Sequence, residues 1–158
     1  MPTVSAARGF WISAAVVLLL AIVSSLSWGS DSALDIPLHD TYFVIAYVHW
    51  YLAIALLLGG YALLYVLLER FFRLKLARSL TLAHFFLTLP FMLYLCAAVS
   101  LPMLIEPAPR RYYSYTQFET STPFFGVGLP LAVVLVLFAA GQLGLLIAII
   151  KAVYSRVR

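Results

Sequence analysis

Cysteine and charged residues are scarce in this sequence. The only cysteine, Cys96, excludes a disulfide framework and a thiolate metal site, both of which need several cysteines. The sequence also has no internal repeat, no nucleophile–base pair, no glycine-rich phosphate loop and no two-histidine metal motif. These absences leave little support for an enzyme that acts on its own, or for a transporter built from inverted repeats.

Apolar residues are correspondingly abundant. They make up 65% of the 158 residues, well above the ~45–50% that is usual in soluble domains. Four apolar stretches each meet the ~20 residues needed to cross a bilayer as a helix. The sequence therefore predicts an all-α membrane protein, one four-helix transmembrane domain over residues 1–158. The predicted helices are Phe10–Trp28, Thr41–Leu68, Leu80–Ile105 and Phe124–Ile150.

The first apolar stretch has an alternative interpretation. Arg8 precedes it and small residues follow it, as in a secretory signal peptide. Its apolar run is longer than the ~7–15 residues of a typical signal-peptide core. We therefore expect Phe10–Trp28 to be a membrane-spanning helix.

The basic residues are distributed unevenly about the predicted helices. If the four helices alternate in direction, eight of the ten lysines and arginines fall on one side, and only Arg110 and Arg111 fall on the other. Cytoplasmic loops carry such an excess, so both termini are predicted to face the cytoplasm, or the matrix in an organelle. The net charge of +4 is therefore explained by the basic residues at one membrane surface and gives no indication of nucleic-acid binding.

The most informative segment runs from Ser32 to Leu52. It contains the pair His39-Asp40 followed by an apolar stretch with a second histidine, His49. If the helix begins at Thr41, His49 lies about two turns inside it. An imidazole at that depth must bind a metal, bind a partner or leave a polar group unpaired. A hydrogen bond to a neighbouring helix is the plainest of these alternatives.

The two faces of this predicted helix differ. Tyr47 and His49 are two residues apart, so their side chains point to nearly opposite faces. Ala46 and Ala53 flank His49 and would leave a slot for a flat macrocycle. The Tyr47 face carries aromatic rings that would fill the corresponding volume, namely Phe43, Trp50 and Tyr51.

The segment from Ser32 to Leu52 resembles the tenth transmembrane helix of haem-copper oxidase subunit I, which reads LHDTYxVxAHxHYxL. This sequence has Tyr47 where the family has the first histidine of its helix. Pro109-Arg110-Arg111-Tyr112 is similar to the family's PRRY motif. By the order of these motifs, the four helices resemble family helices nine to twelve, the C-terminal third of a subunit I.

This resemblance implies a role in binding haem. His49 matches the axial ligand of the low-spin haem, whereas Tyr47 replaces the ligand of the oxygen-reducing haem. Arg110 and Arg111 match the arginines that hold the haem propionates, for which paired guanidinium groups are well suited. The family's copper ligands and its other low-spin ligand lie on helices without a counterpart here. We therefore expect another chain to supply the second ligand and the protein to conduct electrons without being catalytic alone.

The resemblance also implies a metal site at the outer surface. His39 and Asp40 match family residues that contribute to a magnesium site, which a carboxylate of subunit II completes. Magnesium or manganese would suit such ligands. Asp40 as the N-cap of the second helix is an equally simple alternative. His84, early in the third helix, matches a family histidine and is expected to be interfacial and structural.

Three functions follow as alternatives. The first is a membrane subunit of a respiratory oxidase-type complex that contributes a haem ligand and a propionate clamp. The second is a cofactor-free structural or assembly subunit that docks on a catalytic core and contacts a subunit II-like chain. The third is one piece of a split subunit I, which Tyr47 disfavours. Each places the protein in the bacterial plasma membrane or the mitochondrial inner membrane.

The charge asymmetry generates a prediction about orientation. Tags at either terminus should be protected from membrane-impermeant reagents added outside, whereas a cysteine placed next to Arg111 should be labelled. Labelling in intact cells or mitoplasts measures this accessibility. The opposite pattern at either position would contradict both the orientation and the alignment with family helices nine to twelve.

Overall fold

The computed structural model describes residues 4–28, 33–38, 41–105 and 128–157. The helices are α1 (Val4–Trp28), α2 (Tyr47–Val66), α3 (Arg78–Ile105) and α4 (Gly128–Val157), and a π-helical turn (Leu67–Phe71) extends α2. Two strands, β1 (Ala33–Leu38) and β2 (Thr41–Ala46), lie between α1 and α2. All four helices are long and apolar enough to cross a membrane, which confirms the predicted all-α membrane fold.

The helices present apolar side chains both inside the bundle and on its outer surface. On α2 the buried positions recur every three or four residues, as expected for one face of a helix. The outer positions are also apolar, and the side chain of Leu56 is 75% exposed. An apolar outer surface suits lipid, where a helix satisfies its own backbone hydrogen bonds. The buried residues of α2 are Tyr51, Ile54, Ala55, Leu58, Ala62 and Tyr65.

The second helix begins later than the sequence predicts. Instead of a helix from Thr41, the structure has an antiparallel hairpin in which Thr41 pairs with Leu38 and Ala46 pairs with Ala33. The residues of β2 are mostly β-branched or aromatic, and such residues favour a paired strand. α2 therefore begins at Tyr47, six residues beyond the predicted start.

The four helices form two closely packed pairs, α1 with α2 and α3 with α4. Rings and polar groups join the pairs. Phe10 of α1 packs 5.3 Å from the ring of His84 of α3, and Arg156 of α4 donates a hydrogen bond to the carbonyl oxygen of Phe72, just after the π-helical turn. The start of α1, the end of α2, the start of α3 and the end of α4 therefore lie together at one end of the bundle, as alternating helices require.

The end of α2 is closed by a specific turn. The N–H of Leu74 donates to the carbonyl oxygen of Leu68 at 3.0 Å, and Arg73 between them has a φ of 53°. This bond spans one residue more than the six-to-one bond of a Schellman motif, but the left-handed residue directly precedes the donor, as in that motif. Leu68 and Leu74 are both buried, which supplies the apolar contact that often accompanies the motif.

Gly141 brings α4 close to α3. A Cβ atom built on Gly141 would lie 3.2 Å from the Cβ of Leu87 and 3.2 Å from the Oγ1 of Thr88. Both distances are shorter than ordinary van der Waals contact, so an added Cβ would require Leu87 and Thr88 to shift by a few tenths of an ångström. Small residues commonly allow membrane helices to approach each other in this way.

We predict that Gly141→Ala lowers the free energy of unfolding by about 1–3 kcal/mol, because it overpacks this contact. Thermal unfolding of the purified protein in detergent measures the change. Gly144→Ala is the matched control, since a Cβ there meets nothing within 4 Å. Equal destabilisation by both substitutions would contradict a close contact at Gly141.

Candidate functional site

His49 lies on the outer wall of the bundle. It is the third residue of α2, so the prediction that it lies two turns inside the helix is wrong. The later start of α2 places it near the end of the membrane span. Its side chain is exposed, as is that of Ala53 one turn further along. The imidazole therefore faces outwards, towards lipid or another chain.

The opposite face of α2 packs inside the bundle. Tyr51 is completely buried, and Tyr47 and Trp50 are half-buried. The indole Nε1–H of Trp50 donates to the carbonyl oxygen of Leu95 on α3 at 3.2 Å. Aromatic rings therefore lie inside, as predicted, whereas His49 and Ala53 lie outside together with larger apolar side chains such as Leu52. Ala46, predicted to flank His49 on the same helix, belongs to β2 instead. Phe43 was assigned to the inner face, but its side chain lies outside the described part.

The other predicted site residues cannot be placed beside His49. His39, Asp40, Arg110 and Arg111 lie outside the described residues. Within residues 4–28, 33–38, 41–105 and 128–157, no group of three or more histidine, cysteine or acidic side chains is arranged to hold a metal ion. The haem and metal assignments therefore stay predictions.

A buried polar cluster forms instead around His84. The side chain of His84 is completely buried inside the bundle, in agreement with a structural role. Its Nδ1 atom is 2.8 Å from the hydroxyl oxygen of Tyr65 on α2. The rings of Phe10 and Tyr61 lie against the imidazole, with centroids 5.3 and 4.9 Å away. His84 thus connects α3 to α1 and α2.

Gln142 of α4 extends this cluster to the fourth helix. The hydroxyl of Tyr61 donates to Oε1 of Gln142 at 2.9 Å, and Nε2 of Gln142 donates to Oγ1 of Thr88 at 3.4 Å. The second bond is long and correspondingly weak. Side chains from all four helices therefore meet at one level of the bundle.

One atom of the cluster lacks a hydrogen bond. Nε2 of His84 is buried and has no hydrogen-bonding partner among the described residues. A buried polar group without a hydrogen-bonding partner costs about 1–3 kcal/mol. The hydrogen bond between Nδ1 and Tyr65 therefore compensates for burying only one of the two ring nitrogens. The sequence analysis does not predict this cluster. The available signal is that Tyr61 and Tyr65 are four residues apart, as are His84 and Thr88, so that each pair shares one face of a helix.

The two described histidines lie far apart. His84 contacts Tyr65, which is sixteen residues beyond His49 on the same helix. At 1.5 Å per residue the separation along α2 is roughly 24 Å. His49 and His84 therefore cannot ligate one metal centre within this chain.

Comparison with known protein families identifies the type of subunit. The family model described as Cytochrome C and Quinol oxidase polypeptide I matches residues 4–138. The chain belongs to this family. No solved structure matches the chain significantly. The match includes α1, α2 and α3 and the segment that carries His39, Asp40, His49, Arg110 and Arg111.

Family membership and the four apolar helices together establish an integral, multi-pass membrane protein of the oxidase subunit I type. Proteins of this family work in oxidase complexes with other membrane subunits, and they typically bind haem. The predicted resemblance to subunit I is thereby confirmed. Which of its side chains bind a cofactor is a separate question.

The His84 cluster generates a prediction about stability. Tyr65→Phe should lower the free energy of unfolding by about 1–2 kcal/mol, because it leaves both ring nitrogens of buried His84 without a partner. Unfolding in mixed micelles measures the change. In a His84→Leu background the same substitution should cost much less, since the bond is already absent. Equal costs in both backgrounds would contradict the coupling of Tyr65 to His84.

Proposed function

We propose that this protein is a membrane subunit of a respiratory terminal-oxidase-type complex in which His49 is one axial ligand of a low-spin haem. Arg110 and Arg111 would hold the propionates of that haem. The protein would take part in electron transfer within an oxidoreductase complex, in the bacterial plasma membrane or the mitochondrial inner membrane. Membership of the oxidase subunit I family supports the general role.

The exposed position of His49 is the observation that supports its proposed role as a haem ligand. A histidine that served only to join helices of this chain would be directed into the bundle, as His84 is. His49 is directed away from the bundle instead, beside the small side chain of Ala53. Neutral imidazole is a common axial ligand of haem iron, and the small side chain of Ala53 leaves room on one side of it for a flat ring. The residues present therefore fit one side of a haem.

The second axial ligand has to come from outside the described part of this chain. His84 is excluded by its separation of roughly 24 Å along α2. Tyr47 also differs from the family, which has a histidine there. Tyr47 lies on the face of α2 that packs inside the bundle, near Tyr51 and Trp50. We therefore assign no second haem to this face. A bound haem would supply one-electron transfer, and a partner subunit would complete its coordination.

The proposal includes two further contacts. His39 and Asp40 would bind magnesium or manganese with a carboxylate from a subunit II-like chain, because Asp40 and that carboxylate would supply the hard oxygen ligands that these ions prefer. They lie between β1 and β2 in the sequence, beside the segment that leads into α2. The lipid bilayer and the other membrane subunits of the complex would cover the remaining outer surface.

A second candidate function is a structural or assembly subunit without a cofactor. The position of His49 in the first turn of α2 favours it, because an imidazole near the end of a span reaches interfacial water without a ligand. The four helices would then dock on a catalytic core. A piece of a split subunit I remains the third alternative, which Tyr47 disfavours.

The haem proposal predicts the behaviour of His49 variants. His49→Ala should abolish the low-spin haem bands in the visible spectrum of the purified complex while the complex still assembles. His49→Met should retain part of the signal, because a thioether also ligates haem iron. Blue-native electrophoresis measures assembly alongside the spectrum.

His84→Gln is the matched control for loss of a histidine. It removes an imidazole far from His49 and should leave the haem bands in place, even if it lowers stability. A spectrum unchanged by His49→Ala would contradict the haem role and favour the structural subunit.

A further inference from the structure

One end of the bundle is strongly cationic. Within its described part, Glu69 is the one acidic residue, whereas the cations are numerous and all exposed. These side chains lie near the ends of the spans, including the end of the α2 span at Phe71 and the start of the α3 span at Arg78. Cationic side chains at the ends of membrane spans commonly lie close to lipid headgroups. These cations are Arg8, Arg70, Arg73, Lys75, Arg78, Lys151 and Arg156.

Arg73 has an unusual backbone conformation for an arginine. Its φ of 53° lies in the left-handed region, and it occupies the position just after the end of a helix where glycine is usual. A residue with a Cβ is disfavoured there relative to glycine. The arginine side chain at this position is exposed. Backbone strain of this kind is concentrated at functional sites, so an arginine in place of glycine here indicates that its cationic side chain has a function.

Arg156 brings a second guanidinium group to the same turn. Its Nη1 atom donates to the carbonyl oxygen of Phe72 at 2.6 Å, although the two residues belong to distant parts of the chain. This bond holds the C-terminal part of α4 against the peptide that precedes Arg73. A guanidinium group has five N–H donors, so one hydrogen bond leaves others available.

Exposed aromatic rings lie beside the two arginines. Phe71 is 76% exposed and Phe72 is 49% exposed, and their ring centroids are 5.2 Å apart in an edge-to-face arrangement. Rings at this level can contact the upper part of acyl chains while the guanidinium groups face the headgroups. The turn therefore combines an apolar surface with two donors suited to phosphate oxygens.

We propose that Arg73 and Arg156 form a binding site for the phosphate of an anionic phospholipid headgroup, with Phe71 and Phe72 against its acyl chains. The lipid would join the end of α2 to the end of α4 and so connect the two helix pairs. Clusters of cations at membrane-helix ends commonly bind acidic lipids. This site is independent of the haem proposal, since it involves neither His49 nor the opposite end of α2.

Native mass spectrometry of the full-length protein tests the proposal. Phosphatidylglycerol and phosphatidylcholine are added to the detergent-solubilised protein in equal amounts. The unmodified protein should bind phosphatidylglycerol preferentially, and Arg73→Gln and Arg156→Gln should each weaken this binding about tenfold. Arg70→Gln is the matched control, because it removes the same charge from the preceding turn and should have a much smaller effect.

Arg73→Gly separates lipid binding from folding. Glycine relieves the left-handed conformation, so this variant should be at least as stable to heat as the unmodified protein and yet lose the preferential binding. Inorganic phosphate at millimolar concentration should not displace the lipid.

Three results would overturn the proposal. The first is that Arg70→Gln weakens phosphatidylglycerol binding as much as Arg73→Gln, which would indicate a diffuse charge effect. The second is that Arg73→Gly retains the preference for phosphatidylglycerol. The third is that phosphate displaces the lipid, which would indicate an anion site without a role for the acyl chains.

Discussion

Polar side chains inside an apolar bundle need hydrogen-bonding partners, and this constraint organises the structure. α1 packs on α2 and α3 packs on α4, while ring contacts and hydrogen bonds join the two pairs. Tyr65 bonds to His84, Tyr61 bonds to Gln142, and Trp50 bonds to a carbonyl oxygen of α3. Apolar contacts between helices are no stronger than their contacts with lipid, so such bonds select one arrangement of the pairs.

Polar and charged side chains that point out of the bundle indicate what kind of molecule the protein contacts on its outer surface. His49 is directed outwards on α2, and the cations at the opposite end surround the turn at Arg73. These two regions differ in chemistry. An outward imidazole beside small residues suits a cofactor or subunit, whereas paired guanidinium groups beside exposed rings suit an acidic lipid. The bundle is therefore suited to a larger assembly in a membrane.

The later start of α2 changes the role that His49 can have. At the depth expected from the sequence, its imidazole would have required a ligand or a partner. In the first turn of α2 it can also reach interfacial water. Exposure on the outer wall therefore becomes the main structural support for a haem ligand, with membership of the oxidase subunit I family. Tyr47 on the filled face remains the clearest departure from that family.

The sequence by itself determined the number of membrane helices, the family and the end of the bundle that carries the positive charge. These properties depend on composition and local motifs, which need no knowledge of packing. The start of α2 could not be predicted in this way, because the apolar residues of Thr41–Ala46 are compatible with a helix or a strand. Their pairing with Ala33–Leu38 decides for the strand. The burial of His84 was decided only by tertiary structure. Its partners Tyr65, Tyr61 and Phe10 come from other helices, and sequence spacing within one helix does not reveal which helices meet.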